Sequence, residues 1–134
     1  GNSDSRILTI EGNKSLCDFA SSLFTKYNFE NIDVANDDFD SVLNNLSIDN
    51  SSSQLVFIDG NHKYDATLRY VSFFEKHMKE GIIVIDDIYW SAGMRKAWRE
   101  IIRQNKNNVT IDLFRMGIIL IKESITSGHY VVRY

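Results

Sequence analysis

Two apolar runs end in aspartate, the second in a pair: Leu55-Val56-Phe57-Ile58-Asp59-Gly60 and Gly81-Ile82-Ile83-Val84-Ile85-Asp86-Asp87. Carboxylates placed side by side can share a cation or hold a polar group of a substrate. Such placement needs neighbouring strands, and in an open parallel α/β sheet ligands bind outside the carboxyl ends of the strands. A continuous β-branched run reads as a strand buried on both faces, with helices covering each side. Asp59, Asp86 and Asp87 are therefore expected to emerge together at the functional edge of such a sheet.

The elements that position them follow from the pattern of apolar residues. Arg6 to Ile10 reads as a strand ending at Glu11-Gly12. Lys14 to Tyr27 carries Leu16, Phe19, Ala20, Leu23 and Phe24 at helical spacing, with Ser15 or Asn13 as cap. A short strand, Asn31 to Ala35, runs into the acidic turn Asn36-Asp37-Asp38-Phe39, and Ser41 to Leu46 reads as a short helix. After the polar loop Asp49 to Ser53 comes the strand Gln54 to Ile58. A helix from about Asp65 to Met78 follows, with Leu68, Val71, Phe74 and Met78 inward. Gly81 to Ile85 is the next strand, and Gly93 to Gln104 is a helix burying Met94, Ala97, Trp98, Ile101 and Ile102. Val109 to Arg115 and Ile118 to Lys122 predict a tight antiparallel hairpin around Met116-Gly117. Tyr130 to Tyr134 has strand propensity but no evident partner. The alternation predicts an α/β fold: a mostly parallel sheet, helices on both faces and an antiparallel finish.

Composition narrows the class further. At 134 residues the chain predicts one domain spanning 1–134, large enough for its own core. A net charge of −3 with scattered basic residues argues against a nucleic-acid footprint. Cys17 is the single cysteine, so no disulfide can form within the chain, and a cytoplasmic setting is expected. No apolar run approaches membrane-spanning length. The opening Gly1-Asn2-Ser3-Asp4-Ser5 lacks Met, and Gly1 reads as a cleavage scar.

Taken in order, Ile-Glu-Gly, Asp-Asp-Phe, Phe-Ile-Asp-Gly-Asn-His-x-Tyr and Ile-Asp-Asp-Ile-Tyr-Trp-Ser resemble class I methyltransferases that use S-adenosylmethionine. The likeness is greatest to the bacterial O-methyltransferase-like branch and covers about Arg6 to Lys122. It implies a Rossmann-like sheet and a small-molecule or sugar hydroxyl as methyl acceptor. By resemblance, Glu11 and Gly12 lie at the ribose, Asp38 and Phe39 at the adenine, and Asp59 near the sulfonium. Metal-dependent relatives hold a divalent cation such as Mg²⁺ with residues corresponding to Asp59, Asp86 and Asp87. His62 stands near a position where some relatives carry a general base. The family's first strand and its glycine-rich loop have no counterpart: the seven glycines are isolated and no Gly-x-Gly occurs. The fold is thus expected to be incomplete at the N-terminus, and this fragment alone to be inactive.

Each assignment has a structural counterpart. Strand-end aspartates also cap helices, Asp38 can cap the helix after it, and His62 can serve its own turn. Glu11 can be a solvated strand-end charge. Tyr89, Trp90 and Trp98 can line an acceptor pocket or fill the core, while His77 and His129 receive no role. A phospho-acceptor receiver domain would place the aspartate pair before the single aspartate, the reverse of the order here. A nucleotide-sugar transferase would need an acid-x-acid spacing that is absent. The main rival is a non-enzymatic, methyltransferase-like interaction domain. Expected partners are a small-molecule acceptor and a second copy of the chain, with neither nucleic acid nor membrane.

Overall fold

A computed structural model of the protein describes residues 5–133; Gly1, read as a scar, and Tyr134, the end of the expected last strand, lie outside them. The described residues form two compact units, one up to Ser47 and one from Ile48.

In the first unit, β1 (Ile7–Ile10) pairs in parallel with β2 (Ile32–Ala35), joined by α1 (Lys14–Lys26) and followed by α2 (Phe39–Asn45). Asn13 is the cap of α1: its side-chain oxygen accepts from the Ser15 and Leu16 amides at 2.9 and 3.4 Å. The buried residue of α1 is Cys17, whereas Leu16 and Phe19, expected inside, are 53% and 63% exposed. The apolar stripe of this helix is wide, and the side turned inward is that of Cys17, whose thiol donates to the Glu11 carbonyl at 3.1 Å. Phe24 meets Phe29 edge to face at 6.4 Å.

The second unit is a five-stranded sheet in the order β3-β4-β6-β5-β7. β3 (Gln54–Ile58) and β4 (Gly81–Ile85) are parallel and match the expected residues without offset. β5 (Val109–Asp112) and β6 (Gly117–Ile121) form the expected antiparallel hairpin, and β6 inserts between β4 and β5, antiparallel to both. β7 (Gly128–Val131) finds its partner in β5, to which it is parallel. α3 (Tyr64–His77) and α4 (Ala92–Gln104) bury Tyr70, Val71, Phe74, Met94, Ala97, Trp98 and Ile101. Ile83, Ile85 and Ile119 on the sheet are at most 1% exposed. Each such side chain contributes about 1.5–3 kcal/mol by leaving water. Gly117 is needed where it stands: a Cβ there would lie 2.7 Å from the Trp98 ring. The opposite face differs from the expected double burial of β3, because Leu55 and Phe57 are 73% and 54% exposed. Among the described residues of this unit, α3 and α4 contact each other, and the strand alternates inward and outward as in a half-covered sheet. No helix of the described residues is long and apolar enough to cross a membrane.

Candidate active site

The register of β3 and β4 decides what stands at the carboxyl edge of the second unit. Ile58 pairs with Ile85, and the Asp86 amide donates to the Ile58 carbonyl at 3.0 Å, so Asp59 and Asp86 leave adjacent strand ends together. The loop after β3 turns through Asn61, which is left-handed at φ 48° and donates from its side-chain Nδ2 to the buried Tyr70 hydroxyl at 3.2 Å. That turn brings His62 back towards Asp59: Nε2 lies 3.6 Å from Asp59 Oδ1, is itself buried, and has no hydrogen bond. Asp59 is the outward member of the pair, with 54% of its side chain exposed.

The acidic pair after β4 is organised differently. Asp86 Oδ1 accepts from the Asp87 amide at 2.8 Å. Asp87 is left-handed at φ 52°, and its carboxylate accepts from Arg115 Nη2 at 3.2 Å. Because Gly117 pairs with Ile85, the β5–β6 turn sits at the same edge, and the Ile88 amide donates to the Arg115 carbonyl at 3.0 Å. Beneath lies Asp112, whose side chain is 3% exposed. Its Oδ2 accepts from the Tyr89 hydroxyl at 2.5 Å and Trp98 Nε1 at 3.1 Å; its Oδ1 accepts from the Phe114 amide at 2.9 Å and Arg133 at 3.0 Å. Burial alone would push the Asp112 carboxyl up, but the donors together outweigh it and hold it below the usual carboxylate value. The same bond to Asp112, with burial, raises the Tyr89 hydroxyl.

A metal needs several ligands converging on one point. Among the described residues no group of three His, Cys, Asp or Glu side chains is arranged to hold one. Asp87 already faces a guanidinium, so Asp59, Asp86 and Asp87 do not fit a divalent cation as they stand.

In the first unit Glu11 follows β1, and its Oε1 accepts from the Asn13 amide at 2.7 Å, while Oε2 has no hydrogen bond among the described residues. Gly12 is open, the nearest atom to an added Cβ being the Asp37 carbonyl at 4.0 Å. Asp38 caps α2: Oδ1 accepts from the Ser41 amide and Oδ2 from its hydroxyl, each at 2.8 Å. The amide and then the hydroxyl lower its carboxyl below the ordinary value. Phe39 is half-buried at the first turn of α2. A hollow of about 400 Å³ lies alongside, lined by Asn36, Asp37, Ser41 and Asn45 among others. Another hollow, of about 450 Å³, is at the opposite edge of the second unit, around Asn50, Lys79 and Lys122.

Asp112, Arg115 and Arg133 belong to no motif of the sequence. The available signal is strand alternation, which puts Thr110 and Asp112 on one face among buried apolar residues, where an acid needs partners.

A sequence profile described as a methyltransferase domain matches residues 1–88 of the chain. No curated protein matches it. Among solved structures, a Corynebacterium glutamicum protein aligns with a TM-score of 0.72 at 16% identity, covering 90% of this chain and 62% of its own. A candidate methyltransferase from Streptococcus mutans, solved in complex with SAH, aligns at 0.67 and 8% identity, covering 86% and 75%. A candidate rRNA methylase from Clostridium thermocellum aligns at 0.62 and 11% identity, covering 86% and 74%. The fold is thus the Rossmann-like α/β fold of class I methyltransferases. The chain belongs to the methyltransferase-domain family.

Proposed function

We propose that the protein transfers a methyl group from S-adenosylmethionine to a hydroxyl of a small molecule or sugar. The observation carrying this reading is Glu11, a strand-end acid with one carboxylate oxygen that has no hydrogen bond among the described residues, inside the region that matches the methyltransferase domain. S-adenosylmethionine supplies a methyl group activated by a positively charged sulfur. Glu11 Oε2 accepts from the ribose, the role a strand-end acid plays in dinucleotide folds, and open Gly12 lets the sugar approach the backbone. Phe39 offers the adenine an apolar surface, while Asp38, engaged through both oxygens by Ser41, shapes the turn beneath it.

Asp59, exposed at its strand end, takes the hydroxyl proton, and His62 behind it stabilises the carboxylate in position. The acceptor oxygen bonds to the methyl carbon as the carbon–sulfur bond breaks. Positioning carries most of the rate. A divalent ion forms no part of this reading, because Asp87 is occupied by Arg115. The partner is a small-molecule acceptor, without nucleic acid or membrane; Leu55 and Phe57, exposed on β3, favour association with a second copy. A single cysteine suits the cytoplasm.

Calorimetric titration of S-adenosylhomocysteine into the full-length protein tests the reading. Saturable binding is expected, weakened about tenfold to a hundredfold by Glu11→Gln, the worth of a charge-assisted hydrogen bond. Unchanged affinity in Glu11→Gln removes the ribose role. No binding by the unaltered protein removes methyl transfer and leaves a non-enzymatic interaction domain.

A further inference from the structure

The loop from Asp86 to Ser91 is fastened to the β5–β6 turn at separate points. Arg115 donates to the Asp87 carboxylate at 3.2 Å and its carbonyl accepts the Ile88 amide at 3.0 Å. Tyr89 donates to buried Asp112, and its ring faces Phe114 at 6.2 Å. Ile88 between them is fully buried. Asp87 and Phe114 both stand in the left-handed region, at φ 52° and 69°. A non-glycine residue persists there only where its surroundings over-determine it. The acidic loop is thus held against a template made by the hairpin turn.

We propose that Arg115 does at Asp87 what a bound divalent cation would otherwise do: it neutralises the carboxylate and fixes the acidic loop, leaving this edge metal-free. The charge argument is direct. The Asp87 side chain is 22% exposed, so a partly desolvated carboxylate needs a cation, and the guanidinium is already within hydrogen-bond distance. A divalent ion at Asp87 Oδ1 would compete with Arg115 for that oxygen and loosen the hold of the turn on Asp87. Asp86 commits Oδ1 to the Asp87 amide, which keeps the pair facing the turn. Arg115 is accordingly a positioning residue: it acts on the loop and touches no reacting atom. This inference concerns the edge used by the methyl-transfer reading, but it does not depend on cofactor binding.

Two measurements on the full-length protein, both without cofactor, test it. Titration with Mn²⁺ followed by electron paramagnetic resonance is expected to give the same curve for the unaltered protein and for Asp87→Asn. Hydrogen exchange is expected to accelerate about fivefold at the Ile88 and Trp90 amides in Arg115→Gln, the scale of one surface-accessible ion pair. These amides donate to the Arg115 and Asp87 carbonyls. Arg115→Lys should restore part of the protection. Mn²⁺ binding that Asp87→Asn abolishes would overturn the proposal, as would unchanged exchange in Arg115→Gln. Titration of S-adenosylhomocysteine in parallel separates either failure from failure of the methyl-transfer reading.

Discussion

Replacing Asp112 with Asn tests whether a buried carboxylate organises the carboxyl edge of the second unit. Each oxygen of Asp112 receives two donors: Tyr89 and Trp98 on Oδ2, the Phe114 amide and Arg133 on Oδ1. A carboxylate accepts at both oxygens; a carboxamide accepts at one and donates at the other. The cheapest arrangement turns the new NH₂ towards Tyr89 and Trp98. Tyr89 can rotate its hydroxyl to accept, but the indole N–H cannot, and Trp98 is 2% exposed. One orphaned buried donor costs about 1–3 kcal/mol, and losing the charge from the remaining bonds adds roughly 1 kcal/mol. The expected total is about 3 kcal/mol, a large share of the roughly 5–15 kcal/mol that holds a domain together. Urea unfolding followed by tryptophan fluorescence reads it cleanly, since Trp90 and Trp98 both belong to the second unit. The pH dependence follows from the lowered Asp112 carboxyl. A depressed folded-state value contributes stability above the unfolded value, about 4, that is lost as pH falls through the folded one. The penalty of Asp112→Asn should therefore be full at pH 7 and shrink below about pH 4. A cost under about 1 kcal/mol at pH 7, within the range of ordinary surface substitutions, would refute the accounting, as would a penalty that persists undiminished in acid.

Other substitutions probe single links. Gly117→Ala should destabilise by about 1–3 kcal/mol in the same unfolding assay, because the new methyl meets the rigid Trp98 ring at 2.7 Å; a neutral result would mean the helix can retreat. Ile83→Ala, at a fully buried position, should cost about 2–5 kcal/mol, and a change below that range would place Ile83 outside the core. Asp38→Asn should keep both the cap on α2 and the affinity for S-adenosylhomocysteine, while Asp38→Ala lowers the melting temperature. Weaker binding by the Asn variant with unchanged melting would return Asp38 to the adenine. Asn13→Ala should cost about 1 kcal/mol through the lost cap on α1, and an unchanged melting temperature would show that Ser15 substitutes.

Much of the fold was legible because local signals were strong. β3 and β4 are β-branched runs bounded by polar loops and strand-end acids, and their limits match the expected ones residue for residue. The hairpin was legible from Met116-Gly117 between two apolar runs, though β5 stops at Asp112, where the Asp112 side chain turns to cap the Phe114 amide. The partner of β7 was not legible, since pairing between Val109 and Gly128 depends on register across the sheet. Periodicity likewise marked α1 as amphipathic without saying that Cys17, and not Leu16 or Phe19, would turn inward. The Asp112 cluster is the extreme case: its side-chain partners lie 14 to 23 residues away along the chain.

The same contrast separates scaffold from candidate chemistry among the acids. Asp38, Asp87 and Asp112 have partners supplied by the chain itself: Ser41, Arg115 and the four-donor cluster. An acid satisfied in this way gains little from a ligand, which would have to break existing bonds before making its own. Glu11 Oε2 and the exposed Asp59 are in the opposite condition among the described residues, each at a strand end, with His62 Nε2 at 3.6 Å from Asp59. A carboxylate held by a rigid strand end but left incompletely bonded is pre-organised for a group that arrives from outside. Sequence alone gives Glu11, Asp38, Asp59 and Asp87 the same standing, because each follows an apolar strand or opens a helix, whereas Asp112 falls inside the expected strand Val109 to Arg115. Hydrogen-bond satisfaction divides them: Asp38, Asp87 and Asp112 are engaged in holding the loops in place, and Asp59 and Glu11 are the acids to which the proposed reading gives the proton and the ribose.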